Sequence, residues 1–185
     1  MVVAEKLYTV EEYFDFCETH EGRYEFIDGE IIEMSGESTT ANKIAGNIHF
    51  FFRVLLEDKP FEMYQNAVKL MVEENKKYRI PDFQIIHESG NKVKYATEPI
   101  LIVEVLSDST ANIDRHIKLA EYSLLASLQY YLIIDQDNCF VEMFVRDGSR
   151  WYVEFYTELN ESVKLPYFET QLPLTTIYKK INLAK

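Results

Sequence analysis

The sequence contains little of what marks several large protein classes. Cysteine occurs only twice in 185 residues, as Cys17 and Cys139, which excludes a disulfide framework, and neither cysteine has the spacing of a zinc-binding pair. No apolar run approaches the ~20 residues that span a bilayer, and the first ten residues lack the basic and apolar regions of a secretory signal. We therefore expect a protein that does not enter a membrane and that resides in the cytoplasm, where thiols stay reduced.

Linkers are absent as well. The chain has no internal repeat, no low-complexity tract and no long segment rich in Pro, Gly or Ser. Because 47% of its residues are hydrophobic, a chain of this length can bury a substantial core. We expect residues 1–185 to form a single domain.

Basic residues are few, since 19 Lys and Arg stand against 31 Asp and Glu, for a net charge of -12. This balance argues against a nucleic-acid partner, because contacts to phosphate need basic side chains. The excess is uneven, however: residues 1–42 hold 11 acidic and 2 basic residues, whereas residues 43–185 hold 20 and 17. The charge therefore weakens the case for a nucleic-acid substrate without removing it.

Local patterns predict the first elements of the fold. Thr9 followed by Glu12 forms a capping-box pattern, which predicts the start of a helix. Asp28-Gly29 lies between two short apolar runs and is typical of a hairpin turn. Apolar residues at helical spacing predict two further helices. The predicted helices cover residues 9–20, 38–57 and 109–127.

Extended apolar segments account for most of the remaining chain. The run at residues 99–106 (PILIVEVL) is almost wholly apolar, which is typical of a strand buried on both faces. The tail at residues 165–178 contains two prolines, and we expect it to pack over a sheet edge. Other extended segments are predicted at residues 61–72, 80–87, 130–135, 139–146 and 151–156. This order predicts an α/β (α+β) fold in which helices flank a central mixed β-sheet.

One charged residue interrupts the most apolar strand. Glu104 lies in ILIVEVL, where every neighbour is apolar, and a buried carboxylate is costly unless a metal or a partner compensates it. Asp82 follows Pro81 at the start of another strand, a position where a turn aspartate is also common. Carboxylates from two neighbouring strands can converge on one Mg²⁺, which takes oxygen ligands and keeps several waters. The pair predicts a metal site, unless Glu104 lies near the strand end and meets solvent or an arginine.

A lysine on the following helix could complete such a site. Asp114 and Lys118 are four residues apart and share a helix face, so they form either an exposed ion pair of little weight or a group that points back at the carboxylates. In the second case, Lys118 would stabilise charge on a phosphate or orient an attacking water. Glu25 is a fourth acid, and its position before the hairpin turn also suits an exposed strand residue.

Five ordered sequence blocks resemble a known family. The blocks read RYEFIDGEIIEMSG, IPDFQII, PILIVEVLSDST, DRHIKLAEY and QYYLIID. Together they resemble the bacterial proteins grouped as putative restriction endonucleases, formerly a domain of unknown function, within the PD-(D/E)XK nuclease superfamily. The resemblance extends from Tyr8 to Tyr178 and implies a restriction-endonuclease-like core.

The resemblance also implies roles for individual residues. Asp82 and Glu104 match the two acids of the superfamily motif, and Glu25 matches an additional acid near the metal. The usual lysine position, two residues after the second acid, holds Leu106 here, whereas Lys118 matches the lysine that some branches take from the next helix. Asp82, Glu104 and Glu25 would hold Mg²⁺ or Mn²⁺, and Lys118 would complete the catalytic group.

Further positions have supporting roles in the family. Asp114, Tyr122 and Asn42 are expected to line the site. Asn42 stands where the family often has a histidine, Ser127 where a glycine is common, and Tyr131 where a tryptophan is usual. These three positions depart from the family pattern.

The implied function is that of a Mg²⁺- or Mn²⁺-dependent endonuclease that hydrolyses phosphodiester bonds of DNA. One alternative, favoured by the net charge, is a catalytically inactive module that keeps the nuclease fold and binds nucleic acid or protein. A further alternative is a homodimer formed through the aromatic strands at residues 139–156, although the same residues suit the domain's own core.

Overall fold

The structure is a computed structural model that describes residues 6–34, 36–88, 94–106 and 113–183. A six-stranded β-sheet lies at its centre. The helices of these residues are α1 (Val10–Thr19), α2 (Thr39–Leu55), a π-helix (Ile113–Lys118) that continues into α3 (Leu119–Ser123), a 3₁₀ turn (Pro166–Phe168) and α4 (Leu174–Ile177). The strands are β1 (Tyr24–Ile27), β2 (Glu30–Glu33), β3 (Phe61–Gln65), β4 (Leu70–Glu73), β5 (Lys77–Arg79), β6 (Phe83–His87), β7 (Pro99–Leu106), β8 (Tyr130–Asp135), β9 (Val141–Asp147), β10 (Arg150–Tyr156), β11 (Ser162–Leu165) and β12 (Thr170–Pro173). Among the described helices, none combines the length and the apolar character needed to cross a membrane.

The central sheet is mixed. Its strand order is β10-β9-β8-β7-β6-β3, and β7 and β8 run parallel whereas the other neighbouring pairs are antiparallel. A four-stranded sheet has the order β2-β1-β5-β4, and β11 pairs with β12. This architecture confirms the predicted mixed sheet flanked by helices.

The two local patterns near the N-terminus form the predicted structures. Thr9 Oγ1 accepts a hydrogen bond from Glu12 N at 3.2 Å, and Glu12 Oε2 accepts one from Thr9 N at 2.9 Å. Asp28 and Gly29 have positive φ angles of 50° and 95°, as the two-residue hairpin turn between β1 and β2 requires. Both elements are therefore specified by short-range chemistry.

The extended segment predicted at residues 61–72 is two strands in different sheets. β3 joins the central sheet and β4 joins the four-stranded sheet, with Asn66 between them at a φ of 60°. Asparagine tolerates this left-handed conformation better than most residues, so the chain can change direction there. No sequence pattern predicts β5, which pairs with β1 and β4.

The side chains of β7 alternate between two cores. Leu101 and Val103 pack in the core formed with α2, whereas Ile102 and Leu106 pack in the core that contains Tyr122 of α3. Because successive strand residues point to opposite faces, Glu104 is directed to the face covered by the π-helix and α3.

The C-terminal tail packs mainly on a face of the central sheet. Phe168, Leu172 and Ile177 belong to the core that α2 forms with this sheet. The Phe168 ring also contacts Phe61 on the edge strand β3, with ring centroids 5.5 Å apart. The expected position over an edge is therefore met only in part, because most of the tail's apolar surface is buried on the face.

The helix predicted over residues 109–127 is shorter than expected. Residues 109–112 lie outside the described part of the chain, and α3 ends at Ser123. The first described turn is a π-helix, whose backbone bonds join residues five apart and so change the spacing of side chains along each face.

This π-helix accompanies a change in the buried face. Ile117 and Leu124, which the apolar pattern places in the core, are 50% and 84% exposed. Asp114 and Lys118 are buried instead. The predicted apolar face is therefore wrong at these positions, because a polar cluster takes the side that faces the sheet.

Candidate active site

Two acidic side chains meet where β6 and β7 pair. Phe83 of β6 is paired with Val103 of β7 in antiparallel register, so Asp82 and Glu104 occupy the next opposed positions on one sheet face. Both line a single small cleft of about 70 Å³. The structure therefore brings together the two acids that the sequence singles out.

Asp82 is held by the backbone of β7. Its Oδ2 accepts a hydrogen bond of 2.7 Å from Val105 N. Burial raises the pKa of Asp82 to about 6, although the Val105 N–H and the Lys118 ammonium oppose the increase. The ionised carboxylate is thus incompletely compensated at neutral pH, and a bound cation would stabilise it.

Glu104 is buried and has two donors. Its Oε1 accepts hydrogen bonds from Lys118 Nζ at 2.9 Å and from the Tyr122 hydroxyl at 3.0 Å. Burial raises the pKa of the Glu104 carboxyl well above its ordinary range, and the Lys118 charge opposes this increase. Tyr122 does not line the cleft, so it contributes to the site by holding Glu104.

Lys118 supplies positive charge at the centre of the cleft. Its Nζ lies 2.9 Å from Glu104 Oε1 and 3.0 Å from Asp114 Oδ1. Burial by itself would lower the pKa of Lys118, but the Glu104 and Asp114 carboxylates raise it above the ordinary value. The alternative of an exposed Asp114–Lys118 pair is wrong, because both side chains are buried and the ammonium points back at Glu104. We refer to Asp82, Glu104, Asp114 and Lys118 as the cleft cluster.

Glu37 is a cleft residue that no sequence pattern predicts. It directly precedes Ser38, whose side chain caps α2. Glu37 Oε2 accepts hydrogen bonds from Asn42 Nδ2 at 3.1 Å and from Asn66 Nδ2 at 3.0 Å. Its Oε1 is buried and has no hydrogen-bond partner within the described residues. Asn42 is exposed and is not part of the described cleft lining, but it contacts the cleft residue Glu37.

Arg23 is a second cation of the cleft lining, and the sequence patterns do not indicate it either. Its Nη1 donates a long hydrogen bond of 3.4 Å to the backbone oxygen of Asn66. Asn66 N in turn donates to the backbone oxygen of Asp82 at 3.3 Å. The turn between β3 and β4 therefore connects Arg23 to the segment that carries Asp82.

Glu25 is not among the acids that line the cleft. Its Oε2 accepts a hydrogen bond from Arg79 Nη1 at 2.7 Å, and its Oε1 accepts one from Ile80 N at 3.0 Å. The geometry does not place Glu25 as a metal ligand, because β1 belongs to the four-stranded sheet and both carboxylate oxygens are engaged there.

Comparison with known proteins identifies the family of the chain. Residues 10–176 match the model of the Uma2 family, which is described as "Putative restriction endonuclease". The chain belongs to this family. Membership in Uma2 confirms the resemblance carried by the five sequence blocks.

Two related proteins and one solved structure are similar to this chain over most of its length. An uncharacterised protein of Synechocystis sp. is 34% identical over 158 residues, which cover 83% of this chain and 89% of that protein. A second uncharacterised Synechocystis protein is 25% identical over 172 residues, covering 91% and 90%. The crystal structure of a putative nuclease belonging to DUF820 from Anabaena variabilis matches with a TM-score of 0.71 at 17% identity, covering 92% of this chain and 97% of that one. At this identity the structural match shows a shared fold.

The carboxylates of the cleft fit a hard divalent cation. Among the described residues, four carboxylates line the cleft, from Glu37, Asp82, Glu104 and Asp114, and Mg²⁺ and Mn²⁺ prefer carboxylate oxygen. Glu37 Oε1 and Asp114 Oδ1 are buried without a hydrogen bond in the described residues, although Asp114 Oδ1 has the Lys118 ion pair. No three Asp, Glu, His or Cys side chains of the described chain form a ready-made metal site. Because Mg²⁺ keeps several waters, one or two of these carboxylates are enough to hold it.

Proposed function

We propose that the chain is a divalent-metal-dependent endonuclease that hydrolyses phosphodiester bonds of DNA, with Asp82, Glu104 and Lys118 at its centre. One observation carries this proposal: two acids from neighbouring strands and a buried lysine from the next helix share one cleft. Membership in Uma2 supports a nuclease-like function. Clustered acids beside an ammonium group suit metal-assisted hydrolysis.

Asp82 and Glu104 are the residues that would hold Mg²⁺ or Mn²⁺, with water completing the coordination shell. When bound, the ion would supply a water of lowered pKa and positive charge beside the scissile phosphate. The Val105 N–H keeps the Asp82 carboxylate in one orientation. The two donors on Glu104 Oε1 do the same for its carboxylate, so both ligands are preorganised.

Lys118 has two tasks in this proposal. Its ammonium favours the ionised form of Glu104, from which it is 2.9 Å away. It also lies in the cleft, where positive charge stabilises the negative charge that develops on a phosphate in the transition state. Tyr122 assists the first task by donating a second hydrogen bond to Glu104.

The charge of the cleft affects how a phosphate can enter. Of the residues that the structure describes, four with carboxylates line the cleft together with the cations Lys118 and Arg23. A DNA phosphate would therefore meet net repulsion unless a divalent cation is bound. We expect cleavage to decrease steeply when Mg²⁺ becomes limiting at fixed ionic strength.

A catalytically inactive module with the same fold is the second candidate. The position two residues after Glu104 holds Leu106, and the chain has a net charge of -12. Lys118 is also engaged by two carboxylates, as it would be in a purely structural cluster. Such a module would bind nucleic acid or protein without carboxylate-dependent binding of metal.

Homodimer formation and a cytoplasmic location stay predictions. β10 is an edge strand of the central sheet, and its Tyr152 and Phe155 are 48% and 55% exposed, which supports a surface for pairing with a second copy. Tyr156 of the same strand is buried in the protein's own core. Light scattering after size exclusion measures which state forms.

Asp82→Asn and Glu104→Gln test the proposed function. Each substitution removes one negative charge and keeps the size of the side chain. We expect each to lower Mg²⁺-dependent cleavage of plasmid DNA by about 10²–10³-fold and to weaken Mg²⁺ binding in calorimetry. Glu142→Gln is the matched control, since Glu142 is a buried acid paired with Arg115 and does not line the cleft.

The outcomes separate the two candidates. A wild-type protein that neither binds Mg²⁺ nor cleaves DNA would identify an inactive module. Undiminished cleavage by the Asp82→Asn variant would remove Asp82 from the mechanism.

A further inference from the structure

Arg79 is a buried cation beside the cleft that the proposed chemistry does not use. Its side chain is 4% exposed. Nη1 donates to Glu25 Oε2 at 2.7 Å, whereas Nε and Nη2 donate to Glu121 Oε2 and Oε1 at 2.8 and 3.0 Å. Lys77 Nζ adds a weaker contact, 3.4 Å from Glu121 Oε1. We refer to Arg79, Glu25, Glu121 and Lys77 as the Arg79 cluster.

Stability alone does not account for such a cluster. The cost of removing buried charges from water offsets most of their attraction, and apolar side chains of similar volume often stabilise a fold equally well. What distinguishes the Arg79 cluster is therefore the set of elements that it connects. It joins β1 and β5 of the four-stranded sheet to α3 on the central sheet.

One arm of the cluster leads to Asp82. Glu25 uses Oε2 for Arg79 and Oε1 for the backbone N–H of Ile80, so one carboxylate holds two consecutive residues. Pro81 separates Ile80 from Asp82, and its ring fixes φ and removes one rotation from the connection. A displacement of Ile80 would therefore be transmitted to the Asp82 carboxylate.

The other arm leads to Glu104. Glu121 lies in α3 three residues after Lys118 and directly before Tyr122. Lys118 and Tyr122 are the two donors to Glu104 Oε1. Arg79 donates two hydrogen bonds to Glu121, and this contact fixes the position of the helix that orients Glu104.

We propose that Arg79 is a positioning residue, which sets the distance between Asp82 and the Lys118–Glu104 pair by holding Glu25 with one edge of its guanidinium and Glu121 with the other. The functional consequence rests on the nuclease activity proposed above. A lysine at this position cannot perform the same task, because an ammonium lacks the planar fork that bonds one carboxylate twice and a second carboxylate at the same time.

The amide hydrogen of Val105 offers a direct measure of this positioning. Val105 N donates to Asp82 Oδ2, so its hydrogen exchange becomes faster when the Asp82 carboxylate moves away. The measurement is made on the full chain and needs neither metal nor DNA.

Arg79→Lys is the test variant. We expect exchange of the Val105 amide to become about tenfold faster, as for the loss of one hydrogen bond. We also expect kcat for plasmid cleavage to decrease about 10–100-fold, as for residues that orient ligands, with little change in KM. Val163→Ala is the control, because it lowers stability in the core on the other sheet face. Once corrected for overall stability, it should leave both quantities unchanged.

A second variant covers the case in which Arg79→Lys does not fold. Arg79→Met combined with Glu25→Gln and Glu121→Gln removes the three charges together, which avoids an uncompensated buried carboxylate. We expect a folded protein with the same fast exchange at Val105. Wild-type exchange and wild-type kcat in either variant would overturn the proposal. Absence of cleavage by the unsubstituted protein would count against the nuclease function alone, since Val105 exchange still decides the positioning.

Discussion

The cleft cluster and the Arg79 cluster are both buried, and each mixes acids with a cation, yet their acids are satisfied to different degrees. In the Arg79 cluster, the guanidinium donates three hydrogen bonds to two carboxylates, and Ile80 N–H adds a fourth. In the cleft cluster, the Lys118 ammonium contacts the Glu104 and Asp114 carboxylates, and Asp82 is held by the Val105 N–H. Asp114 Oδ1 has this ion pair but no hydrogen bond within the described chain.

This difference distinguishes an arrangement that maintains geometry from one that can accept a ligand. A cluster with complete hydrogen bonding gains nothing from an added cation. A cluster with excess negative charge and raised carboxyl pKa values, as at Asp82 and Glu104, is stabilised when a cation enters. Perturbed groups in a cleft are typical of functional sites, which agrees with placing the chemistry at Asp82 and not at Arg79.

We expect the largest change in stability when the Arg79 cluster loses its central cation. Arg79→Met leaves Glu25 and Glu121 buried without their main partner, and we expect a loss of about 3–5 kcal/mol in the free energy of unfolding, measured with urea. Mg²⁺ should not restore this loss. Lys77→Met is the control, and because Lys77 is partly exposed, its loss should stay below about 1 kcal/mol. Equal losses in the two variants would contradict the conclusion that Arg79, and not Lys77, is the main partner of the buried acids.

Removal of a charge from the cleft cluster should instead increase the stability of the protein. The pKa of Asp82 is about 6 in the folded protein against an ordinary 3.8. Ionisation of this group therefore lowers the free energy of unfolding progressively as the pH rises from 4 to 6, by the full amount above pH 6, and not at all well below pH 4. Without metal, Asp82→Asn should therefore be more stable than wild type by about 3 kcal/mol at pH 7. The advantage should disappear as the pH decreases to 4.

Urea unfolding in EDTA between pH 4 and pH 8 measures this dependence. Glu142→Gln, the buried acid outside the cleft, serves again as the control. An advantage of Asp82→Asn that is the same at both ends of the range would contradict the account of Asp82 as an under-compensated carboxylate.

Binding of Mg²⁺ should have a smaller effect on stability, which also distinguishes the two clusters. If Asp82 and Glu104 hold Mg²⁺, the ion should stabilise the wild-type protein by about 2.7 kcal/mol at a concentration 100 times its Kd. Thermal melting at increasing Mg²⁺ measures the effect. The Asp82→Asn variant should show little increase, whereas Arg79→Lys, which keeps both carboxylates but orients Asp82 less well, should retain part of it. A shift in the wild type that Asp82→Asn preserves would place the ion elsewhere.

Short-range patterns in the sequence predict part of the fold well. Thr9 with Glu12, and Asp28 with Gly29, specify a helix start and a hairpin because their contacts are between residues one to three positions apart. The segment at residues 61–72 is different, since its composition suits a strand throughout. Its division depends on which sheet each half joins, and that choice is made by distant partners.

The helix after β7 shows the same limit. Its apolar residues at helical spacing predict a buried face, yet Ile117 is half exposed while Lys118 is buried. The pattern assumes regular α-helical spacing and a purely apolar core. The π-helix changes the spacing, and the acids across the cleft supply partners that make a buried lysine favourable.

The sequence by itself determined the chemical character of the site, because a glutamate within the apolar run of β7 and an aspartate after Pro81 are costly or special wherever the chain folds. Only the tertiary structure decided that Glu37 and Arg23 join the cleft, that Glu25 turns to Arg79, and that Lys118 faces inward. The physical reason is that these contacts connect side chains far apart in sequence, across sheet register and helix phase, neither of which local composition encodes.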